Sequence, residues 1–285
     1  MRASFIDIDG IRSRYLEAGS GETIVLLHGV GMAADCWIRT MEALSHNFRV
    51  VAPDMLGCGF TPLHAPAGQP PPGPPQLAMV AHLSKLFDRI GVDRFAVVGS
   101  SLGGLVGALQ YLAMPERVTA LAFSGSAALY AAESKELAEI LAGSFKNGST
   151  AYSDVSLDSL RRRLANIVHD VAVIPEYVLH MQLTAYSLPW SFAAYKHRMQ
   201  GMISALEAGE AGWIRCRLGE IATPALAIAG DADPRTTPEW EARAVRDLPN
   251  ARQATFKNCG HFPHLEYPSK FEILITRFVR GEALE

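Results

Sequence analysis

The sequence predicts an α/β fold: a mostly parallel central sheet flanked by helices, with an inserted helical cap. Three observations predict it. Runs apolar on both faces recur at residues 23–27, 49–52, 95–98, 118–123 and 225–229, as strands buried in a parallel sheet require. Helical stretches at 37–44, 77–90, 102–113 and 238–247 alternate with those runs, and that alternation implies a parallel sheet. The chain has 285 residues, 49% of them hydrophobic and 19% charged, enough to bury a large core as one domain or a domain with a lid.

Taken in order, residues 4–9 and 11–17 alternate about Asp9-Gly10, a hairpin turn signal. The buried run at 23–27 and the helix at 37–44 open the alternating part. Residues 62–76 hold seven prolines and are expected to be neither helix nor central strand but a surface excursion. Residues 129–213 have helical periodicity, mixed charge and no buried-strand run. They are expected to form a cap inserted into a core made of residues 1–128 and 214–285.

Composition excludes several function classes. Twenty-six Lys and Arg against 29 Asp and Glu give a net charge of −3, which argues against phosphate-neutralising nucleic-acid binding. No window approaches 18 apolar residues, so no membrane span is expected. No apolar stretch follows the first residues, so no signal peptide is read. The four cysteines, Cys36, Cys58, Cys216 and Cys259, are scattered and fit reduced thiols in a cytoplasm. The nine histidines form no metal-ligand grouping, so neither a metal nor another cofactor is expected. The expected partner is a small-molecule substrate, with a homodimer left open.

The strongest local signal is Gly99-Ser100-Ser101-Leu102-Gly103, with a buried strand before it and a helix after it. A nucleophile on a sharp strand-to-helix turn sits in strained backbone space, so the positions two away must be small. Its hydroxyl stands at a helix N-terminus, where the dipole favours a developing anion. Ser101 is the expected nucleophile and the Leu102 N–H an oxyanion donor. Gly104 and Gly107 read as packing glycines.

With these residues the chain resembles the α/β-hydrolase superfamily over nearly all its length. His28-Gly29-Val30-Gly31 stands where the family has its oxyanion loop, which implies the Val30 N–H as second donor and His28 as a structural residue. Pro53-Asp54-x-x-Gly57-x-Gly59 resembles a structural turn of the family, with Thr61 where Ser is usual. The family's acid follows Gly230 by three residues, which selects Asp233; Asp231 is the alternative. Gly260-His261, with Glu266 and Pro268 following, matches the family's base loop; His261 is the implied base and His264 the second candidate. Ser, Asp, His is the chain order this fold uses.

The resemblance implies a serine hydrolase acting through an acyl-enzyme on a small apolar or aromatic carboxylic ester. Alternatives are a carbon–carbon hydrolase of aromatic ring-fission products, or a lactonase. A binding-only receptor or a cofactor-free dioxygenase of this fold ranks lower. Three positions depart from the carbon–carbon group: Gln182 for its cap arginine, Phe262 for tryptophan after the base, and Ser100 for asparagine before the nucleophile. Substrate contacts are expected from Gly29, Ser100, Tyr186, Trp190 and Phe262. Arg161, Arg162 and Arg163 read as a solvated helix face, with attraction of an acidic substrate as the alternative.

Overall fold

The computed structural model describes residues 1–130, 134–209 and 215–284. The expected return of the insertion to the core, at Trp213 and residue 214, lies outside them, as does the side chain of Cys216. Eight strands form one sheet: β1 (Arg2–Ile8), β2 (Ile11–Ala18), β3 (Thr23–Leu27), β4 (Arg49–Pro53), β5 (Phe95–Ser100), β6 (Val118–Ser124), β7 (Ala225–Gly230) and β8 (Ala251–Phe256). Their order is β1-β2-β4-β3-β5-β6-β7-β8. The β1–β2 hairpin is antiparallel and β2 pairs antiparallel with β4, while every other pairing is parallel. Every residue of β3, β5 and β7 is buried, as their two-faced apolar runs require. β8, sequence ARQATF, is only partly buried and has no apolar run, so the pattern that finds central strands passes it over.

Four helices flank the sheet at length: α1 (Ile38–Leu44), α2 (Pro75–Arg89), α3 (Leu102–Ala113) and α9 (Pro238–Asp247). A 3₁₀ turn over Ala34–Trp37 precedes α1, so its α-helical part starts one residue later than expected. The proline-rich excursion ends two residues early, because Pro75 occupies the first turn of α2, where a missing N–H costs nothing. Between β6 and β7 lie α4 (Ala127–Tyr130), α5 (Ser134–Ser153), α6 (Leu157–Ala165), α7 (Glu176–Tyr186) and α8 (Ser191–Glu207). Tyr152 stacks on Tyr186 at 3.8 Å and on Phe192 at 5.1 Å, and its ring lies 5.1 Å from that of Tyr195, giving the insertion its own aromatic core. The chain closes with α10 (Pro263–Glu266) and α11 (Pro268–Val279). No helix among the described residues is long and apolar enough to cross a membrane.

The parallel strands β3, β5, β6, β7 and β8 stand side by side, and their carboxyl ends deliver residues 28–31, 101, 125, 233 and 261 to one edge. Ligands of open α/β sheets bind at that edge.

Candidate active site

Ser101 follows the last residue of β5 and precedes the first of α3, with φ 54° and ψ −114°. A non-glycine residue at such angles costs energy, and the surroundings hold it there. Its N–H donates to the Ser124 carbonyl at 2.7 Å, and the Ser126 hydroxyl donates to its carbonyl. A Cβ on Gly99 would overlap the backbone of Gly103, and one on Gly103 would overlap the Leu27 carbonyl. The two glycines are therefore needed for the turn itself. Leu102 opens α3, so its N–H has no partner within the helix.

His261 is buried beneath the insertion. Its Nδ1–H donates to Asp233 Oδ2 at 2.8 Å. The other contacts of that carboxylate are the Thr236 hydroxyl at 2.7 Å and the Arg235 N–H at 2.8 Å. Burial alone would raise the Asp233 pKa, but His261 and these donors outweigh it and hold the carboxyl below its ordinary value. Asp231 is exposed and accepts only a long 3.4 Å bond from the Cys259 N–H. Nε2 of His261 has no partner among the described residues, and His261 and Ser101 line one chamber. His264, the second candidate, stacks on Trp37 at 4.0 Å, and among the described residues neither ring nitrogen has a partner. Burial, with His261 nearby, pushes its pKa down to about 3.

Two sets of contacts fix the base loop. Glu266 accepts from the Gly260 N–H at 3.0 Å, the Phe262 N–H at 3.2 Å and, across the cleft, the His169 N–H at 2.8 Å. The His261 N–H donates to the Ile167 carbonyl at 2.8 Å. The insertion thus holds the His261 loop through its own backbone.

It also holds the oxyanion loop. Arg163 Nη2 donates to the Val30 carbonyl at 3.0 Å. Gln182 Nε2 and the Tyr186 hydroxyl donate to the Gly31 carbonyl at 2.5 and 3.1 Å. Gly31 has φ +69°, and a Cβ there would lie 2.6 Å from Arg163 Nη2 and 2.8 Å from the Tyr186 hydroxyl. From below, His28 donates through Nδ1 to the Gly29 carbonyl and accepts the Met55 N–H on Nε2. Burial lowers its pKa to about 4, which suits this neutral structural role. Gly29 lies 3.3 Å, by its would-be Cβ, from Ser101. The Asp54 turn is structural as expected: its carboxylate accepts the Ala34 and Phe60 N–H groups and contacts Arg14, and Thr61 Oγ1 accepts the Arg14 N–H.

The chamber beside Ser101 is small, about 50 Å³. Val30, Leu102, Leu105, Ala127 and Ala128 form its floor and walls; Leu137, Ile140, Leu141 and Ser144 of α5 and Met199 and Met202 of α8 form its roof. Several expected substrate contacts lie elsewhere. Tyr186 supports the oxyanion loop instead of lining the chamber. Trp190 lies in a groove with His64, Pro66 and Pro70 against the proline-rich excursion. Phe262 is buried 5.0 Å from the His261 ring, and Ser100 is buried with a hydroxyl that has no partner among the described residues. Of the three arginines, Arg161 and Arg162 are exposed in ion pairs with Glu176 and Asp154, whereas Arg163 is buried, correcting the solvated reading for that residue.

Three contributors escape a reading of the sequence. Gly125, at φ +61°, sits so close that a Cβ would be 2.7 Å from the His261 ring; a glycine ending a buried strand is the available signal. Arg163 reaches the site only through tertiary packing, and Arg235 lines the chamber from the acid loop.

Residues 22–268 match the α/β hydrolase fold family. A 2-hydroxy-6-oxononadienedioate/2-hydroxy-6-oxononatrienedioate hydrolase of Paraburkholderia phymatum is 27% identical over 281 residues, covering 94% of this chain and 91% of that protein. A 2-hydroxy-6-oxo-6-(2'-aminophenyl)hexa-2,4-dienoic acid hydrolase of Metapseudomonas resinovorans is 26% identical, covering 98% of this chain and 91% of that one. The solved structure of a serine hydrolase involved in carbazole degradation superposes with a TM-score of 0.81 at 23% identity, over 99% of both chains.

Proposed function

This chain belongs to the α/β hydrolase fold family and is a hydrolase, and we propose that it cleaves a carbon–carbon bond in 2-hydroxy-6-oxo-dienoic acids. The observation that carries this is similarity to hydrolases of such acids across almost the whole chain, insertion included. In a 6-oxo acid the carbonyl at C6 is flanked only by carbon, so hydrolysis there must break a carbon–carbon bond, and C5–C6 is the one whose leaving carbanion is conjugated to the C2 ketone.

Ser101 is the nucleophile, His261 the base and Asp233 its orienting acid. A dienol-to-ketone shift first puts a proton on C5. His261 Nε2 takes the Ser101 proton as Oγ attacks C6, and the oxyanion is held by the Val30 and Leu102 N–H groups. Collapse breaks C5–C6. The departing fragment is a dienolate whose charge is delocalised onto the C2 oxygen, and that oxygen takes the proton from His261. Water, activated by the same histidine, then releases the acyl group as a carboxylic acid. Asp233 stabilises the imidazolium throughout and is held ionised for that task.

A small carboxylic ester is the second reading. Gln182 favours it, because the position read as the cap arginine of carbon–carbon hydrolases instead commits its amide to the Gly31 carbonyl. One screen decides: a 2-hydroxy-6-oxo-dienoate, short-chain esters and a lactone, with Ser101→Ala as the blank. The dienoate is expected to have the highest kcat/KM. A faster ester, with the dienoate untouched, overturns the proposal.

A further inference from the structure

The chamber beside Ser101 has room for only a few heavy atoms. A volume of about 50 Å³ holds roughly three or four water-sized groups, so a longer substrate must extend beyond it. A much larger cleft of about 600 Å³ lies beside it, between α5 and the loop joining β7 to α9. Three residues line both spaces: Ile140, Ser144 and Arg235. They form the boundary the two spaces share, the throat a longer substrate would have to cross.

Arg235 is the only charged side chain of the three, and it is half-buried. Among the described residues its guanidinium makes no hydrogen bond and no ion pair. The nearest carboxylate in sequence, Asp233, is already occupied by His261, Thr236 and the Arg235 backbone N–H. Burial and the nearby cation of Arg163 disfavour the charge on Arg235, and the Asp233 carboxylate offsets them only in part. Acidic residues do line the cleft, but outside the throat: Glu136, which pairs with Arg243, and Glu139, with Lys146 among them. A half-buried guanidinium beside the chamber, with every donor unpaired among the described residues, is placed to take an anion.

We propose that Arg235 is a specificity-determining residue: it holds a carboxylate of the substrate at the throat, while the reacting carbonyl lies in the chamber at Ser101. The substrate class is therefore a short acyl compound carrying a second, anionic group. This deepens the reading of the same chamber and rests on it for the position of the reacting carbonyl.

Binding separates the two. In a Ser101→Ala background, where nothing is consumed, monomethyl glutarate and its neutral analogue methyl pentanoate are titrated by calorimetry. The anion should bind at least about tenfold tighter, as a charge-assisted hydrogen bond allows. Adding Arg235→Gln should erase that preference by weakening the anion alone, and Arg235→Lys should restore part of it. Equal binding of anion and neutral analogue, or a preference that survives Arg235→Gln, overturns the proposal. Hydrolysis of p-nitrophenyl acetate, too short to reach the throat, is followed separately in Arg235→Gln with Ser101 intact. Failure of acetate turnover in both wild type and variant would count against the Ser101 reading, leaving the binding result to decide on Arg235.

Discussion

The floor of the site, formed by its strand-end loops, and its roof, the insertion that covers them, are specified at very different ranges along the chain. On the floor, Ser101, Asp233 and His261 each sit within a few residues of a strand's carboxyl end. The roof works at a distance. Arg163, Gln182 and Tyr186 reach the oxyanion loop across 133, 151 and 155 residues of sequence. The floor therefore carries chemistry in short motifs, while the roof carries shape and charge in tertiary contacts. If so, damage to the floor should abolish turnover, and damage to the roof should tune it.

The largest effect belongs to the nucleophile. Ser101→Ala should lower kcat by about 10⁴-fold or more with the fold unchanged, since a lone hydroxyl is replaced. Stopped-flow turnover alongside circular dichroism checks both halves. Asp233→Asn should cost about 10⁴-fold in kcat, because the amide mispartners the imidazole N–H. Asp231→Asn should cost far less, and a reversed order would move the acid by two residues.

Gly125→Ala tests the floor without touching a reacting group. Its Cβ would lie 2.7 Å from the His261 ring at φ +61°, so the imidazole must shift. A misplacement of that kind costs about 10²-fold in kcat. Activity near that of wild type would mean that His261 tolerates more freedom than its contacts suggest. On the roof, Arg163→Met keeps the stem but removes the donor to the Val30 carbonyl. The expected loss is roughly tenfold in kcat with KM little changed, as for a group that aims an oxyanion donor without being one. A loss as large as that of Ser101→Ala would break the distinction between floor and roof.

Those ranges explain what is legible in the sequence alone. The strand–Gly99-x-Ser101-x-Gly103–helix pattern is a steric requirement written into five consecutive residues, so the turn is visible together with the proposed nucleophile and one proposed oxyanion donor. The central strands are visible because burial on both faces leaves an apolar run. β8 is not, because one partly exposed edge strand has no such run. The aromatic neighbourhood of Trp190 points to the substrate, yet the start of α8 turns this side chain toward the proline-rich excursion. Arg163 and its two neighbours look alike as a charged run, whereas α6 presents Arg161 and Arg162 outward and Arg163 inward. Charge in a helix is decided residue by residue, and only tertiary packing says which one is buried.

The smallest effect concerns stability, not turnover. Burial holds His28, His82 and His264 neutral, with pKa values near 4, 4 and 3 against the ordinary 6.5. Below pH 6.5 the unfolded chain takes up these protons and the folded one does not. Their contribution to stability is therefore complete above pH 6.5 and is lost progressively as pH falls toward 4. Asp54, pushed up to about 6 mainly by burial, works in the opposite direction over part of that window. His264→Phe isolates one contribution: it keeps the stack on Trp37 and removes one titrating group. Denaturant midpoints from pH 7 to pH 4 should fall less steeply in the variant than in wild type. Parallel curves would show that His264 is not neutral in the folded protein.

The claim beneath all of these is that Ser101 and His261 deliver water to a ketone carbonyl. It is tested most directly by turning over a 2-hydroxy-6-oxo-dienoate in oxygen-18-labelled water while dissolved oxygen is monitored. The expected products are a carboxylic acid carrying at least one solvent oxygen and a 2-hydroxydienoate fragment released in equal amount, with no oxygen consumed. An unlabelled acid, or consumption of one oxygen molecule per turnover, would contradict it.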